Sequence, residues 1–104
     1  MVNSIDPLHL YNQRSWSKNT FGPDFRYEGI INHIKKELDE ILEDPHDLEE
    51  WIDVVILALD GAWRAGYEPE EIIQAFHRKI KKNKNRSWPD WRQYNDDRPI
   101  EHLE

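Results

Sequence analysis

The chain has 104 residues, no cysteine and a formal net charge of −7. That length suits one domain with a modest core, and the missing cysteines exclude a disulfide framework, an iron–sulfur site and a thiolate zinc site. The acidic balance argues against broad nucleic-acid binding, which needs basic surface to neutralise phosphates, and no apolar run approaches the ~20 residues of a membrane span.

The start, from Met1 to Asp6, lacks the basic and apolar regions of a secretory leader, so a cytoplasmic location is expected. Asp6-Pro7 is a good helix start, with Asp as N-cap and Pro at the first helical position. The first predicted helix runs from about Pro7 to Lys18 and gives way to Asn19-Thr20-Phe21-Gly22-Pro23, where the Gly-Pro pair resets the chain. A second helix, Gly29–Glu43, places Ile30, Ile34, Leu38 and Ile41 on one stripe. His33, Glu37 and Glu40 share a flank roughly 60–120° from the centre of that stripe, at the border of the core. Asp44-Pro45 then forces a break. The third helix, Asp47–Ala65, is apolar nearly all round and is expected to be central and buried, with Trp51 and Trp63 as structural residues. Glu50, Asp53, Asp60 and Arg64 project from one side of it, and charges on such a helix must be paired or hold metal. Asp60 and Arg64, four apart, can pair with each other. Gly66 closes this helix, and Glu68-Pro69-Glu70-Glu71 opens a fourth that runs to about Lys84 with Ile72, Ile73, Phe76 and Ile80 inward. After Trp88-Pro89-Asp90-Trp91 a polar, irregular tail is expected over 92–104, and Trp88 and Trp91 would dock it on the bundle or on a second subunit.

The feature richest in chemistry is a doubled step of acids: Glu37-x-x-Glu40, nine residues, then Glu50-x-x-Asp53. Residues three apart share a helix face. A short connection makes the two helices antiparallel neighbours, so the late turns of one face the early turns of the next. Four carboxylates held together repel unless a cation sits among them. Oxygen-only ligands suit Mg²⁺ or Mn²⁺, which points to metal-dependent chemistry on a phosphate. The charge asymmetry agrees: residues 1–60 carry 13 acids and 5 bases, whereas 61–92 carry 4 acids and 8 bases. Lys79, Asn83 and Arg86 form one stripe beside the apolar face of the fourth helix, either as phosphate or sugar contacts or as complements of the helix dipole. Trp16, beside the Asn19–Gly22 turn, is either a stacking platform for a nucleobase or a lid on the core. His33, one turn before Glu37, is either a partner of the site or a border histidine. No Ser-His-Asp or Cys-His arrangement, P-loop or Gly-x-Gly-x-x-Gly run is present, so covalent catalysis and Walker-type binding have no support.

The acid pairs on adjacent helices resemble the ExxE…ExxD signature of the all-α, MazG-like nucleotide pyrophosphohydrolases. A longer string is similar to the phage and bacterial dATP/dGTP pyrophosphohydrolase family called MazZ. It comprises Trp-Ser-x-x-Thr-Phe-Gly-Pro at 16–23, His-Ile-Lys-Lys-Glu-Leu-x-Glu at 33–40, Asp-Leu-Glu-Glu-Trp-Ile-Asp-Val at 47–54, Leu-Asp-Gly-Ala-Trp-Arg-Ala-Gly at 59–66 and Lys-x-x-Lys-Asn-Lys-Asn-Arg-x-Trp-Pro at 79–89. The similarity covers about residues 14–91 of a single domain spanning 1–104. It departs from the wider superfamily in the short spacing between the acid pairs, which bears on loop geometry more than on the ligands.

The resemblance implies an all-α bundle of about four helices, assembled as a homodimer or homotetramer. It implies hydrolysis of a deoxypurine triphosphate, dGTP or dATP, to the monophosphate and pyrophosphate, in phages that replace adenine with 2-aminoadenine. Glu37, Glu40, Glu50 and Asp53 would hold two or three Mg²⁺ ions, with Glu40 or Glu50 taking a proton. Lys79, Asn83 and Arg86, together with Trp16, Thr20 and His33, would bind the substrate; neither nucleic acid nor membrane is an expected partner. Another (d)NTP, such as dUTP, dCTP or a damaged purine, is the alternative substrate. A non-catalytic helical interaction module is the alternative of another class.

Overall fold

The computed structural model describes residues 5–103; the segment 1–4, on which part of the leader expectation rests, lies outside them. The protein is all-α, with helices α1 (Pro7–Phe21), α2 (Tyr27–Glu43), α3 (Leu48–Arg64) and α4 (Pro69–Lys84), and a 3-10 turn at Trp91–Gln93. No strand occurs among the described residues. The chain forms two compact units, Met1–Ile73 and Gln74–Glu104.

In the first unit the helix ends follow local chemistry. The Asp6 carboxylate accepts from the His9 amide at 2.9 Å, ahead of Pro7 at the first position. This bond, with the His9 ring beside it, holds the Asp6 carboxyl below its usual range. α1 extends three residues beyond the expected Lys18, because Asn19, Thr20 and Phe21 keep helical geometry until Gly22 turns to φ +94° and bonds back to the Lys18 carbonyl at 2.9 Å. Asp47 caps α3 by accepting from the Glu49 amide at 3.1 Å. At the far end, Gly66, at φ +106°, bonds to the Trp63 carbonyl. α4 opens with Pro69 buried and the Glu71 carboxylate reaching back to the Glu68 amide at 2.9 Å, half of a capping box. α2 is the exception. Its N-cap is Arg26, in the left-handed region at φ +51°, with no side-chain cap bond.

α2 and α3 form an antiparallel hairpin. Gly61, late in α3, comes so near Ile30, early in α2, that a Cβ there would lie 3.8 Å from the Ile30 side chain. At the other end the Trp51 indole donates to the Pro45 carbonyl at 2.9 Å, pinning the connection. α1 meets the C-terminal half of α3 through a polar knot. Arg64, with its side chain 1% exposed, uses all five of its N–H donors. Nε donates to Asp60 at 2.8 Å, and Nη1 donates to the carbonyls of Gly22 and Asp24 at 2.7 and 2.6 Å. Nη2 donates to the Ser17 carbonyl and hydroxyl at 3.2 and 3.0 Å. Asp60 in turn accepts from Ser17 Oγ at 2.6 Å and from the Trp63 indole at 2.7 Å. The start of α4 is tied to α1 by Tyr11, which donates to Glu70 at 2.7 Å and Glu68 at 3.2 Å, and by Arg14, 3.1 Å from Glu68. Those carboxylates, Glu70 foremost, push the Tyr11 phenol up to about 12.

The expectation of a buried α3 is overturned. Trp63 is buried, but Leu48, Trp51, Ile52, Val55 and Ile56 stand 41–70% exposed. A helix apolar all round needs cover on every side, and within this unit α2 covers one flank and α1 only the C-terminal end. Leu38 of the α2 stripe is likewise exposed, while Ile41 is buried.

In the second unit, α4 leaves Phe76 and Ile80 exposed, contrary to the inward placement expected of both. The tail folds back on the end of α4: the Trp88 indole donates to the Asn83 carbonyl at 2.7 Å, Trp88 meets the His102 ring edge-on, and the Leu103 amide bonds to the Ser87 carbonyl.

Removing one partner of a buried charge pair costs about 3–5 kcal/mol. Arg64→Ala should lose stability on that scale in urea denaturation, and Arg64→Lys should recover only part of it, because an ammonium offers three donors against five. Full stability of Arg64→Lys would show that the fork geometry is immaterial.

Candidate active site

The antiparallel hairpin sets the last turns of α2 against the first turns of α3. Glu37, Glu40 and Glu50 each present a carboxylate oxygen within 4.8 Å of the others. Glu37 is buried at the edge of the core, as its flank position predicts, and Glu40 and Glu50 are half-buried. Asp53, one turn after Glu50 on α3, is exposed and does not join this group. Two oxygens, Glu37 Oε2 and Glu50 Oε2, are buried without a hydrogen-bond partner.

Ionised carboxylates only accept hydrogen bonds, so three of them together need a proton or a cation. Where no cation binds, a proton can take this role. Glu50 is pushed up to about 8 by the neighbouring carboxylates, that of Glu40 first and that of Glu37 next, and by its burial. The orphaned oxygens and the all-oxygen donor set fit a hard divalent cation such as Mg²⁺ or Mn²⁺.

Beside the cluster is a cavity of about 190 Å³ between α1, α2 and α3. Its walls are apolar: Trp16, Phe21, Ile30, Ile56 and Leu57. Trp16 is 55% exposed and packs edge-on against Phe21, with ring centroids 5.6 Å apart. Ser17, Asp60 and Arg64 of the polar knot also line it, but their hydrogen bonds are spent within the knot. Gln13, Arg26 and His33, with the indole N–H of Trp16, supply the remaining polar side-chain atoms. His33 links the two places: its ring lines the cavity, and its Nε2 lies 3.2 Å from Glu37 Oε1.

The family model for dATP/dGTP pyrophosphohydrolase matches residues 10–104. The chain belongs to the dATP/dGTP pyrophosphohydrolase family. No curated protein and no solved structure matches it. Membership places the chain among hydrolases of nucleoside triphosphates and removes the non-catalytic helical module as a reading.

Of the residues expected at a pyrophosphohydrolase site, three of the four acids come together, and Trp16 and His33 meet at the cavity next to them. Thr20 is exposed in the last turn of α1 and does not line the cavity. In the second unit Lys79 is exposed, and Arg86 donates to the Asn83 side chain at 3.1 Å. The sequence reading missed Gln13, Ser17 and Arg26. Ser17 and Arg26 flank the Gly22-Pro23 turn, and that turn is the one signal that could have marked them.

The raised Glu50 value carries a pH dependence. The folded value, about 8, lies above the ordinary 4.5, so this contribution to stability is complete below pH 4.5 and is lost as the pH rises through 8. In EDTA the melting temperature should therefore fall between pH 5 and pH 9, and Glu50→Gln should flatten that fall and melt higher than wild type at pH 9. A variant with the wild-type pH profile, followed by circular dichroism, would remove Glu50 as its source.

Proposed function

We propose that the chain hydrolyses dGTP and dATP to the monophosphate and pyrophosphate with Mg²⁺, Mn²⁺ substituting, at a site built on Glu37, Glu40 and Glu50 with Asp53 as the fourth ligand. The observation that carries this reading is the convergence of three carboxylates with two orphaned buried oxygens, in a chain of this family. Two or three ions suit four carboxylates and a triphosphate. When bound, they offset the charge of the phosphates and lower the pKa of a water.

The residues of the chain then have separate tasks. In the reaction, water adds at the α-phosphorus as the bond to the bridging oxygen of the β-phosphate breaks, and pyrophosphate departs. Glu40 or Glu50 accepts the proton of that water. The apolar cavity takes the base: it is smaller than the roughly 300–1,000 Å³ clefts that enclose drug-sized ligands, so it suits one part of a nucleotide. Trp16 and Phe21 offer ring faces and edges for stacking, and every base has a π-face to meet them. His33 stands between base and acids. Lys79, Asn83 and Arg86 are phosphate or sugar contacts on their chemistry, and Thr20 is a further substrate contact in this reading.

The assembly is a homodimer or homotetramer in this reading. Leu48, Ile52, Val55 and Ile56 form a stripe of helical spacing on α3 that the chain leaves open. An apolar stripe of that kind marks an interface more often than a free surface. The sequence string shared with MazZ supports the narrower setting of deoxypurine supply for a 2-aminoadenine phage, in the cytoplasm of its host. No helix of the described residues is long and apolar enough to cross a membrane.

Pyrophosphate release should be measured with all dNTPs and NTPs. dGTP and dATP should lead the panel, and Glu37→Ala or Glu50→Ala should lower turnover at least 100-fold while retaining helical content. A Glu37→Ala variant with wild-type turnover, or a wild type that prefers pyrimidines, would reject the site or the substrate respectively. Light scattering after size exclusion should give an even multiple of 12.6 kDa. Ile52→Asp should reduce that mass; a wild type that runs as a monomer would discard the assembly.

A further inference from the structure

Arg26 is the one residue of the cavity whose backbone is strained and whose charge is unspent. A non-glycine residue at φ +51° costs energy, and such strain persists where the surroundings fix it, often at functional positions. Nor is Arg26 there for the sake of α2. It occupies the N-cap, where a short oxygen-bearing side chain is preferred and where a cation opposes the helix dipole, and it makes no cap bond.

The hydrogen bonds of the guanidinium show where its capacity lies. Nη1 donates to the Phe21 carbonyl at 3.0 Å, which anchors the group beside one aromatic wall. Nε and Nη2 have no partner among the described residues. Nη2 lies towards Gly29, another lining residue, where a Cβ would come within 3.9 Å of it. The other guanidinium lining the cavity, that of Arg64, has every donor occupied.

Two purines that share this cavity differ most at position 6. Guanine presents O6 and N7, both acceptors, whereas adenine presents the N6 amino donor beside N7. Stacking on Trp16 and Phe21 does not separate them, because both have the same π-face. Gln13 can donate or accept by turning its amide, and the His33 ring by choice of tautomer, so neither discriminates by sign. A guanidinium can only donate, and unlike the Trp16 indole, which also only donates, it offers two N–H groups side by side for a pair of acceptors.

We propose that Arg26 reads the O6/N7 edge of guanine and makes the chain prefer dGTP to dATP. The proposal rests on the placement of the base in this cavity. A bidentate pair of this kind discriminates by on the order of 5- to 100-fold.

The test uses the full chain with Mg²⁺ and compares kcat/KM for dGTP, dATP and dITP, which keeps O6 and N7 but lacks the 2-amino group. Wild type should favour dGTP and dITP together over dATP. Arg26→Gln should lower the dGTP-to-dATP ratio by on the order of 5- to 100-fold, since a carboxamide matches the N6/N7 edge of adenine, and dITP should follow dGTP. Arg26→Asn, which suits a left-handed backbone, should lower the ratio in the same direction, and melting curves of both variants report their folding. A loss by one common factor for all three nucleotides, as a phosphate contact or a support of the fold would give, overturns the proposal, and so does an unchanged ratio. Binding of dGMP and dAMP, followed by tryptophan fluorescence, gives the same comparison without turnover. A chain that hydrolyses nothing yet binds dGMP over dAMP through Arg26 loses the enzymatic reading and keeps this one; equal binding of the two by wild type overturns this one alone.

Discussion

The five-fold saturation of the Arg64 guanidinium is the constraint on which the rest of the first unit turns. One buried cation gathers the Asp60 carboxylate, the Ser17 hydroxyl and carbonyl, and the carbonyls of Gly22 and Asp24. It thereby fixes the end of α1, the Gly22-Pro23 turn and the last turns of α3 relative to one another. A buried charge is a weak source of net stability, because its desolvation offsets most of the attraction, but it is a strong source of specificity when each donor has a partner. Few other arrangements of these segments would satisfy five donors at once. The cavity walls are set by this knot: Trp16 and Phe21 flank Ser17 and Gly22, and Ile56 and Leu57 lie one turn before Asp60.

The acid cluster is built on the opposite logic. The hairpin holds three carboxylates together although they repel, and the cost falls on Glu50, whose carboxyl its neighbours push up to about 8. On the proposed reading, a site that takes up divalent cations would gain from a ligand set that is positioned before the ions arrive and unsatisfied without them. The two logics meet at His33, which faces the satisfied side at the cavity and the unsatisfied side at Glu37. A ligand that entered the cavity could therefore change the setting of one carboxylate through a single imidazole.

Much of this was legible in the sequence. Asp6-Pro7, Asp44-Pro45, Gly66 and Glu68-Pro69 mark helix ends through local chemistry that needs no tertiary context, and the structure follows them. The meeting of Glu37 and Glu40 with Glu50 follows from spacing and a short connection alone. What was not legible depends on long-range packing. The extension of α1 through Phe21 depends on Gly22 and Asp24 being claimed by Arg64, 42 and 40 residues away. The role of Ser17 depends on Asp60, which no periodicity connects to it. Arg26 is the extreme case, since propensity would assign a left-handed N-cap to Gly or Asn and not to arginine. Sequence rules failed there because that residue violates a local preference, and local violations gather where a molecule binds something.

The apolar surface of α3 teaches a different lesson about the same limits. Its residues read as core, and by composition they are: Ile52, Val55 and Ile56 differ little from the buried set of any small domain. Periodicity reports that a face must be covered and cannot report which chain covers it. Among the described residues only Leu10, Ile41 and Trp63 are buried hydrophobics, too few to outweigh the conformational entropy of three helices. The polar knot supplies order without much net energy, and repulsion within the acid cluster subtracts from stability. In the proposed assembly, further stabilisation would come from the apolar area still open on α3. On this view association and catalysis are coupled, since the helix that presents Glu50 to the site is the helix that the partner subunit would hold in place.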